Sequence, residues 1–261
     1  MNTRLSTNKS KSVTLHVVKG IPFIKAGNNL GKIIVDCIKQ QGLLIKDRDV
    51  FVVAQKIVSR AENRMISLSS VKPSREANDL AFKTGRDPRL CQLILDNGRV
   101  LYCNGRAIIT EDRLGIVNTS AGIDRSNSGS QEGEIAILLP EDPDLSARGI
   151  RDIIEKLLDV SIAVIVSDSL GRPWRRGSVG MAIGLANIEA IHAIEKKDLS
   201  GRIIYPEIAL VDEIAAAASI LMGQADEGYP VIVIRGVNYI PSDTAGIRDL
   251  LRPTSEDQIW K

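Results

Sequence analysis

The segment 168–180 collects groups that could hold a metal ion and a phosphate. Asp168 and Ser169 are followed within thirteen residues by three arginines and three glycines. Carboxylate and hydroxyl oxygens suit a hard cation such as Mg²⁺, and arginines with exposed glycine N–H groups suit phosphate. The pattern predicts the centre of a metal–phosphate site, and the alternative is a surface turn with a solvated basic cluster. The remaining members are Gly171, Arg172, Arg175, Arg176, Gly177 and Gly180.

The apolar run at 162–168 indicates which structural element precedes this segment. A β-branched run of this length is typical of a strand buried on both faces of a helix-covered sheet. Ligands of such sheets gather beyond the carboxyl ends of the strands. We therefore expect Asp168 to end a strand at the ligand-binding edge, with the chain breaking into a loop after it.

Four further segments carry more polar groups than packing requires: 20–24, 54–62, 118–127 and 222–230. Segment 54–62 offers side chains that can hydrogen-bond phosphate or a base, and 118–127 offers oxygen ligands for a hard cation. Each has a plain structural alternative, namely a strand exit, a helix start, an Asx turn or a helix end.

The chain offers few residues for histidine-based catalysis. Its two histidines, His16 and His192, have the surroundings of ordinary strand or helix residues. The sequence has no Walker loop and no G-x-G-x-x-G after a strand, so a nucleotide site would be built from dispersed segments. Catalysis should depend on carboxylates, metal ions and phosphate-binding cations.

Composition excludes several classes of protein. The net charge of +2 and the 3% aromatic content argue against binding of nucleic acid or of a membrane surface. Three cysteines, with no C-x-x-C pair, favour a reducing cytoplasm over a disulfide scaffold or structural zinc. The chain has no signal peptide and no apolar run of eighteen residues, so we expect a cytoplasmic protein.

Alternating elements predict an α+β fold. Residues 1–12 should be a flexible tail and residues 13–261 one domain, with a possible inserted β-rich subdomain at about 98–140. Outside that subdomain, the periodicity predicts strands at 13–18, 49–54, 162–168 and 230–235, and helices at 30–38, 73–83, 88–95, 144–158 and 205–222.

The order of the motifs resembles the coenzyme F420:γ-L-glutamyl ligase family. The similarity extends from about Val17 to the closing segment at 248–257. The two longest motifs, 118–124 and 167–177, are the specific ones. The shorter matches are Gly-Ile-Pro at 20–22, 58–62, 212–215 and 221–223.

The resemblance implies a GTP-dependent amide ligase. The GTP γ-phosphoryl group would pass to a carboxylate on the lactyl-phosphate side chain of a deazaflavin, and the amine of L-glutamate would attack the acyl phosphate. GDP and phosphate would be released, and further glutamates would be added by γ-linkage. The resemblance also implies two Mg²⁺ or Mn²⁺ ions, with a monovalent cation such as K⁺ as a further candidate, and an intertwined homodimer of mixed α/β fold.

The resemblance also assigns roles to residues of this sequence. The implied metal ligands are Asp124, Asp168, Ser169 and Gln224. The implied GTP contacts are Ile21, Pro22, Phe23, Ile24, Gln55, Lys56, Arg60, Asn127, Met222, Gly223, Gln224, Ala225, Asp226, Glu227, Gly228 and Tyr229. Three positions depart from the common pattern: Ser169 replaces Thr, Arg60 replaces Lys, and Gln224 stands where some members have Glu.

Arg175 and Arg176 are the predicted catalytic residues. We expect one to face the triphosphate or the acceptor's phosphodiester and the other to hold the loop to its neighbour or to a partner subunit, because adjacent residues of an extended segment point to opposite sides. Two alternatives stay open. One is the same chemistry on another acceptor such as a folate. The other is a non-catalytic nucleotide- or metal-binding protein, against which Asp124, Asp168, Arg175 and Arg176 argue.

Overall fold

The structure is a computed structural model that describes residues 12–105, 107–125, 134–172, 174–193, 195–223 and 227–252. The predicted tail therefore lies almost wholly outside the described residues. The strands and helices, in chain order, are β1 Thr14–Val17, α1 Leu30–Gln41, β2 Val50–Ala54, α2 Gln55–Ala61, β3 Met65–Ser67, α3 Arg75–Thr84, α4 Pro88–Asn97, β4 Gly98–Asn104, β5 Ala107–Asp112, β6 Val117–Thr119, β7 Ile135–Ile137, α5 Pro143–Leu158, β8 Ala163–Arg172, β9 Arg175–Ala186, β10 His192–Ala193, β11 Lys196–Lys197, β12 Ile203–Ile204, β13 Glu207–Ile208, α6 Leu210–Met222 and β14 Val231–Arg235.

A five-stranded mixed sheet forms the centre of the molecule, in the order β1-β14-β2-β8-β9. Strands β2 and β8 are parallel, and every other neighbouring pair is antiparallel. Residues 50–53 of β2 and 163–166 of β8 are fully buried at successive positions, so the sheet is covered on both faces. The mixed α+β class and the buried strand before Asp168 are thus confirmed.

Helices α5 and α6 pack closely on strand β9. A Cβ atom on Gly180 would lie 2.4 Å from the Ala215 carbonyl oxygen of α6, and one on Gly184 would lie 2.4 Å from the backbone of Pro143 in α5. Real Cβ atoms do not approach backbone this closely, so both positions require glycine for the two helices to touch the strand.

The middle of the chain forms a smaller unit with its own apolar cluster. Strands β4, β5 and β6 make a three-stranded antiparallel sheet. The cluster beside it includes residues of α3, α4 and β5: Ala77, Leu80, Ala81, Leu90, Cys91, Ile94 and Ile108. The predicted short strands are therefore present, and they share their core with the two preceding helices; the boundaries at 98 and 140 stay a prediction.

Two sequence-based boundaries were wrong. The strand ending at Asp168 was expected to break into a loop, but β8 continues to Arg172 and returns as β9, so most of segment 168–180 is a β-hairpin. Helix α6 begins at Leu210, not at Tyr205. Pro206 disfavours helical backbone at Tyr205, and residues 207–208 pair with β10 instead.

No helix in the described part of the chain is both long and apolar enough to cross a membrane.

Candidate active site

A cavity of about 640 Å³ lies at the carboxyl ends of the parallel strands β2 and β8. Ala54 pairs with Ser167, so the first residues of α2 and the segment beginning at Asp168 lie side by side. The loop after β1, the loop after β6 and the end of α6 close the remaining walls. This is the edge at which ligands of such sheets are expected.

The cavity brings together most of the residues that were predicted from dispersed segments. Those that line it are Ile21, Pro22, Phe23, Ile24, Gln55, Lys56, Arg60, Asp124, Asp168, Ser169, Met222, Gly223, Gly228 and Tyr229. The Glu227 carboxyl group lies directly against Gly223. Asn127, Gln224, Ala225 and Asp226 lie outside the described residues, so their predicted roles stay predictions.

Two carboxylates face each other across this cavity. Asp124 is held by backbone hydrogen bonds in both directions with Ile137, and Asp168 lies on β8 with its Oδ1 accepting a hydrogen bond from the Ser169 N–H at 2.8 Å. Burial, together with the negative charge of Asp124, raises the pKa of Asp168 to about 6, although the Ser169 N–H hydrogen bond and the Lys56 ammonium lower it. A carboxyl group in a cleft, with its pKa raised by burial and by a neighbouring charge, is a candidate functional residue.

The first turn of α2 supplies a cation to the acidic pair. Lys56 Nζ lies 2.6 Å from Asp124 Oδ2. The preceding side chain, Gln55, is only 2% exposed and accepts a hydrogen bond from Ser59 Oγ at 2.9 Å, which fixes this turn. The Lys56 ammonium group thus extends into the cavity from a helical turn whose position is fixed.

An arginine stacked on an aromatic ring provides a second positive charge beside the cavity. The guanidinium carbon of Arg60 lies 4.4 Å from the centroid of the Phe23 ring, a cation–π distance. Arg60 is 9% exposed, and burial lowers its pKa. The neighbouring Ile24 is buried in the main core and anchors the loop that carries Phe23. A flat, positively charged surface of this kind suits an anionic ligand with a planar base.

The donor set fits a hard divalent cation. Asp124 and Asp168 offer carboxylate oxygens, and the Ser169 hydroxyl lies beside them. Among the described residues no group of three or more His, Cys, Asp or Glu side chains could hold a metal alone. A partial protein set of one or two carboxylates, completed by water and substrate phosphate, is the usual arrangement for Mg²⁺.

The predicted catalytic arginines lie elsewhere on the hairpin. Arg175 pairs with Arg172 next to the turn, whereas Asp168 pairs with Met181 further in. Arg172 lies four positions after Asp168 along the strand, which is about 13 Å. Arg175 and Arg176 are exposed and do not line the cavity of the single chain.

Sequence reasoning gave no role to two serines on the cavity wall. Ser178 of β9 and Ser219 of α6 line it. Ser219 precedes the predicted contact Met222 by three residues, which places the two on one helix face, so helical periodicity could have found it. Ser178 could be found only once the hairpin was known.

A family model described as F420-0:Gamma-glutamyl ligase matches residues 20–236. The chain belongs to this family. It is 40% identical to the coenzyme F420:L-glutamate ligase of Methanothermobacter thermautotrophicus over 94% of this chain and 98% of that protein. The corresponding enzyme of Methanocaldococcus jannaschii is 41% identical, over 91% of this chain and 93% of its own. The resemblance predicted from the motifs is thereby confirmed.

Proposed function

We propose that this chain is a GTP-dependent ligase that joins L-glutamate to the lactyl-phosphate side chain of the deazaflavin precursor of coenzyme F420. The family relationship and the names of the relatives support glutamate ligation to this coenzyme. The observation that carries the proposal is the single cavity in which Asp124, Asp168 and Lys56 converge from three separate segments.

The nucleotide is proposed to be GTP. Arg60 and Phe23 would hold the base end of the nucleotide, and Lys56 would contact its phosphates, because the ammonium stands beside the acidic pair where phosphoryl transfer would occur. Residues 222–229, partly outside the described range, would complete the nucleotide contacts.

Asp124, Asp168 and Ser169 would hold the divalent cations, two Mg²⁺ or Mn²⁺ ions, with Gln224 as a further ligand. When bound, these ions would neutralise the charge that develops on the transferred phosphoryl group. K⁺ is proposed as an additional monovalent cation. At neutral pH an Asp168 pKa of about 6 leaves the carboxylate mainly ionised, as a metal ligand must be.

The proposed reaction has two steps. An oxygen of the acceptor carboxylate bonds to the γ-phosphorus as the bond to GDP breaks, giving an acyl phosphate. The glutamate amine then attacks the acyl carbon, phosphate leaves, and the ammonium proton is lost to solvent. Phosphoryl transfer leaves little covalent work for a protein, so the residues of this chain act by positioning and charge neutralisation. The absence of histidine from the described cavity wall is consistent with this chemistry.

We also propose that the enzyme works in the cytoplasm as an intertwined homodimer. A dimer would explain the large exposed side chains at the turn of the β8–β9 hairpin. Trp174 there is 87% exposed and adjoins the exposed Arg175 and Arg176. A partner subunit or a bound acceptor would cover this end.

The direct test is mass spectrometry of a deazaflavin acceptor incubated with the protein, GTP, Mg²⁺ and L-glutamate. The expected result is a product heavier by one or more glutamyl residues, with GDP released only when acceptor and glutamate are both present. Glutamylation of a folate but not of the deazaflavin would reassign the acceptor. Nucleotide binding without GDP release under any of these conditions would make the chain a binding protein.

A further inference from the structure

The ion pair between Lys56 and Asp124 involves one of the proposed metal ligands. Lys56 Nζ lies 2.6 Å from Asp124 Oδ2, and both side chains are less than a third exposed. Lys56 also lowers the pKa of Asp168, so its charge acts on both carboxylates. A single ammonium therefore stands where the charge of a divalent cation would be needed.

A divalent cation and this ammonium compete for the same group. A carboxylate oxygen that accepts a charge-assisted hydrogen bond has less capacity to ligate a metal ion. Two cations on one carboxylate also repel each other, most strongly where water is partly excluded. We propose that Lys56 is an exchangeable counter-ion of Asp124 and that it must leave this carboxylate before Asp124 can bind a metal ion tightly.

The nucleotide phosphates provide the position to which Lys56 moves. Lys56 lines the same cavity as Asp168, Ser169 and Arg60, and a lysine places its charge at the end of four flexible methylene groups. An anion in the cavity would draw the ammonium from Asp124. Lys56 would thereby couple the two ligands, since nucleotide binding releases a metal ligand and metal binding releases a phosphate ligand. This inference rests on the proposed function and deepens it.

The first experiment measures Mn²⁺ binding to the full chain without nucleotide, by the loss of the electron paramagnetic resonance signal of free Mn²⁺. Lys56→Met should bind Mn²⁺ about tenfold more tightly than the wild type, because no ammonium has to be displaced. Lys56→Arg, which keeps the charge, should stay near the wild type. Lys32→Met removes the same charge from an exposed position on α1 and serves as the control.

The second experiment measures GDP binding in EDTA by isothermal titration calorimetry. Asp124→Asn should tighten GDP binding about five- to tenfold, because Lys56 is released from its ion pair. The same substitution in a Lys56→Met background should change the GDP affinity less than about twofold, which separates the effect of Lys56 from a general loss of negative charge.

Two results would overturn the inference: unchanged or weaker Mn²⁺ binding by Lys56→Met, or an Asp124→Asn effect of equal size in both backgrounds. A wild-type protein that binds neither Mn²⁺ nor GDP would overturn it together with the proposed function. Normal binding and coupling without any ligation would instead leave the inference standing and overturn only the proposed reaction.

Discussion

The two ends of the β8–β9 hairpin come from one continuous motif, yet they have opposite environments. At the inner end Asp168 and Ser169 lie beside Gly180 and Met181, line the cavity and directly follow the buried part of β8. At the outer end, Trp174 and the arginines beside it are exposed. A motif that is contiguous in sequence is thus divided by strand geometry into a part that lines the acidic cavity and an exposed part that can act only on a molecule that binds there.

The two ends also differ in how their charged groups interact with water. Burial raises the pKa of Asp168, so the protein gives up stability to keep a charge in place for a ligand. The exposed arginines at the outer end bear no such cost, and water screens their charge until a partner covers them. We therefore expect substitutions at the inner end to affect chemistry most, and those at the outer end to affect recognition.

The largest effect is expected for Asp168→Asn, which should lower the ligation rate at saturating Mg²⁺ by at least about 10³-fold. The substitution removes the charge that is proposed to ligate a metal ion, and metal ions supply several kcal/mol of transition-state stabilisation in such sites. Steady-state release of GDP in the presence of acceptor and glutamate measures it. Asp36→Asn, at an exposed position on α1, is the matched control. Wild-type turnover of the Asp168 variant would show that the inner end of the hairpin is not the part that affects the chemistry.

A smaller effect is expected at the outer end. Either Arg175→Ala or Arg176→Ala should lower kcat/KM for the acceptor or for GTP about ten- to hundredfold, the usual value of a charge-assisted contact to phosphate. The other variant should weaken dimerisation or lower the Tm, measured by light scattering and calorimetry. Arg202→Ala, at the exposed arginine that pairs with Asp198, controls for loss of charge. Unchanged kinetics for GTP and acceptor in both variants would show that the outer end is only a solvated turn.

The remaining effect is one on stability, measured in EDTA. The folded pKa of Asp168, about 6, lies above the ordinary value of 3.8, so the protonated form favours folding. This contribution is complete below pH 3.8 and is lost as the pH rises through 6. Asp168→Asn should therefore gain stability over the wild type between pH 4 and 7, reaching at most about 3 kcal/mol, or several °C in Tm. A pH-independent difference in Tm would contradict the assignment of a buried acid at the inner end.

How much of this site could be predicted from the sequence depended on the local pattern around each residue. The apolar runs at 50–53 and 163–166 located two strands correctly, and the resemblance placed most of the cavity residues. The hairpin was missed because residues 168–180 are rich in glycine and arginine and lack the alternation of apolar and polar side chains that indicates a strand. The pairing of Lys56 with Asp124 joins residues 68 positions apart, which neither periodicity nor composition reveals.

The contact at Gly180 has a mechanical consequence. Gly180 pairs with Ser169 in the neighbouring strand, and the place where its side chain would lie is filled by the backbone of α6. Helix α6 ends at Met222, and Met222 and Gly223 form the opposite part of the cavity wall. Because close-packed interiors transmit strain rather than absorb it, a displacement of that wall by an incoming ligand would be felt at Ser169 and Asp168. We therefore expect the backbone on both sides of the cavity to move together, and a ligand to be accommodated by changes in side-chain conformation.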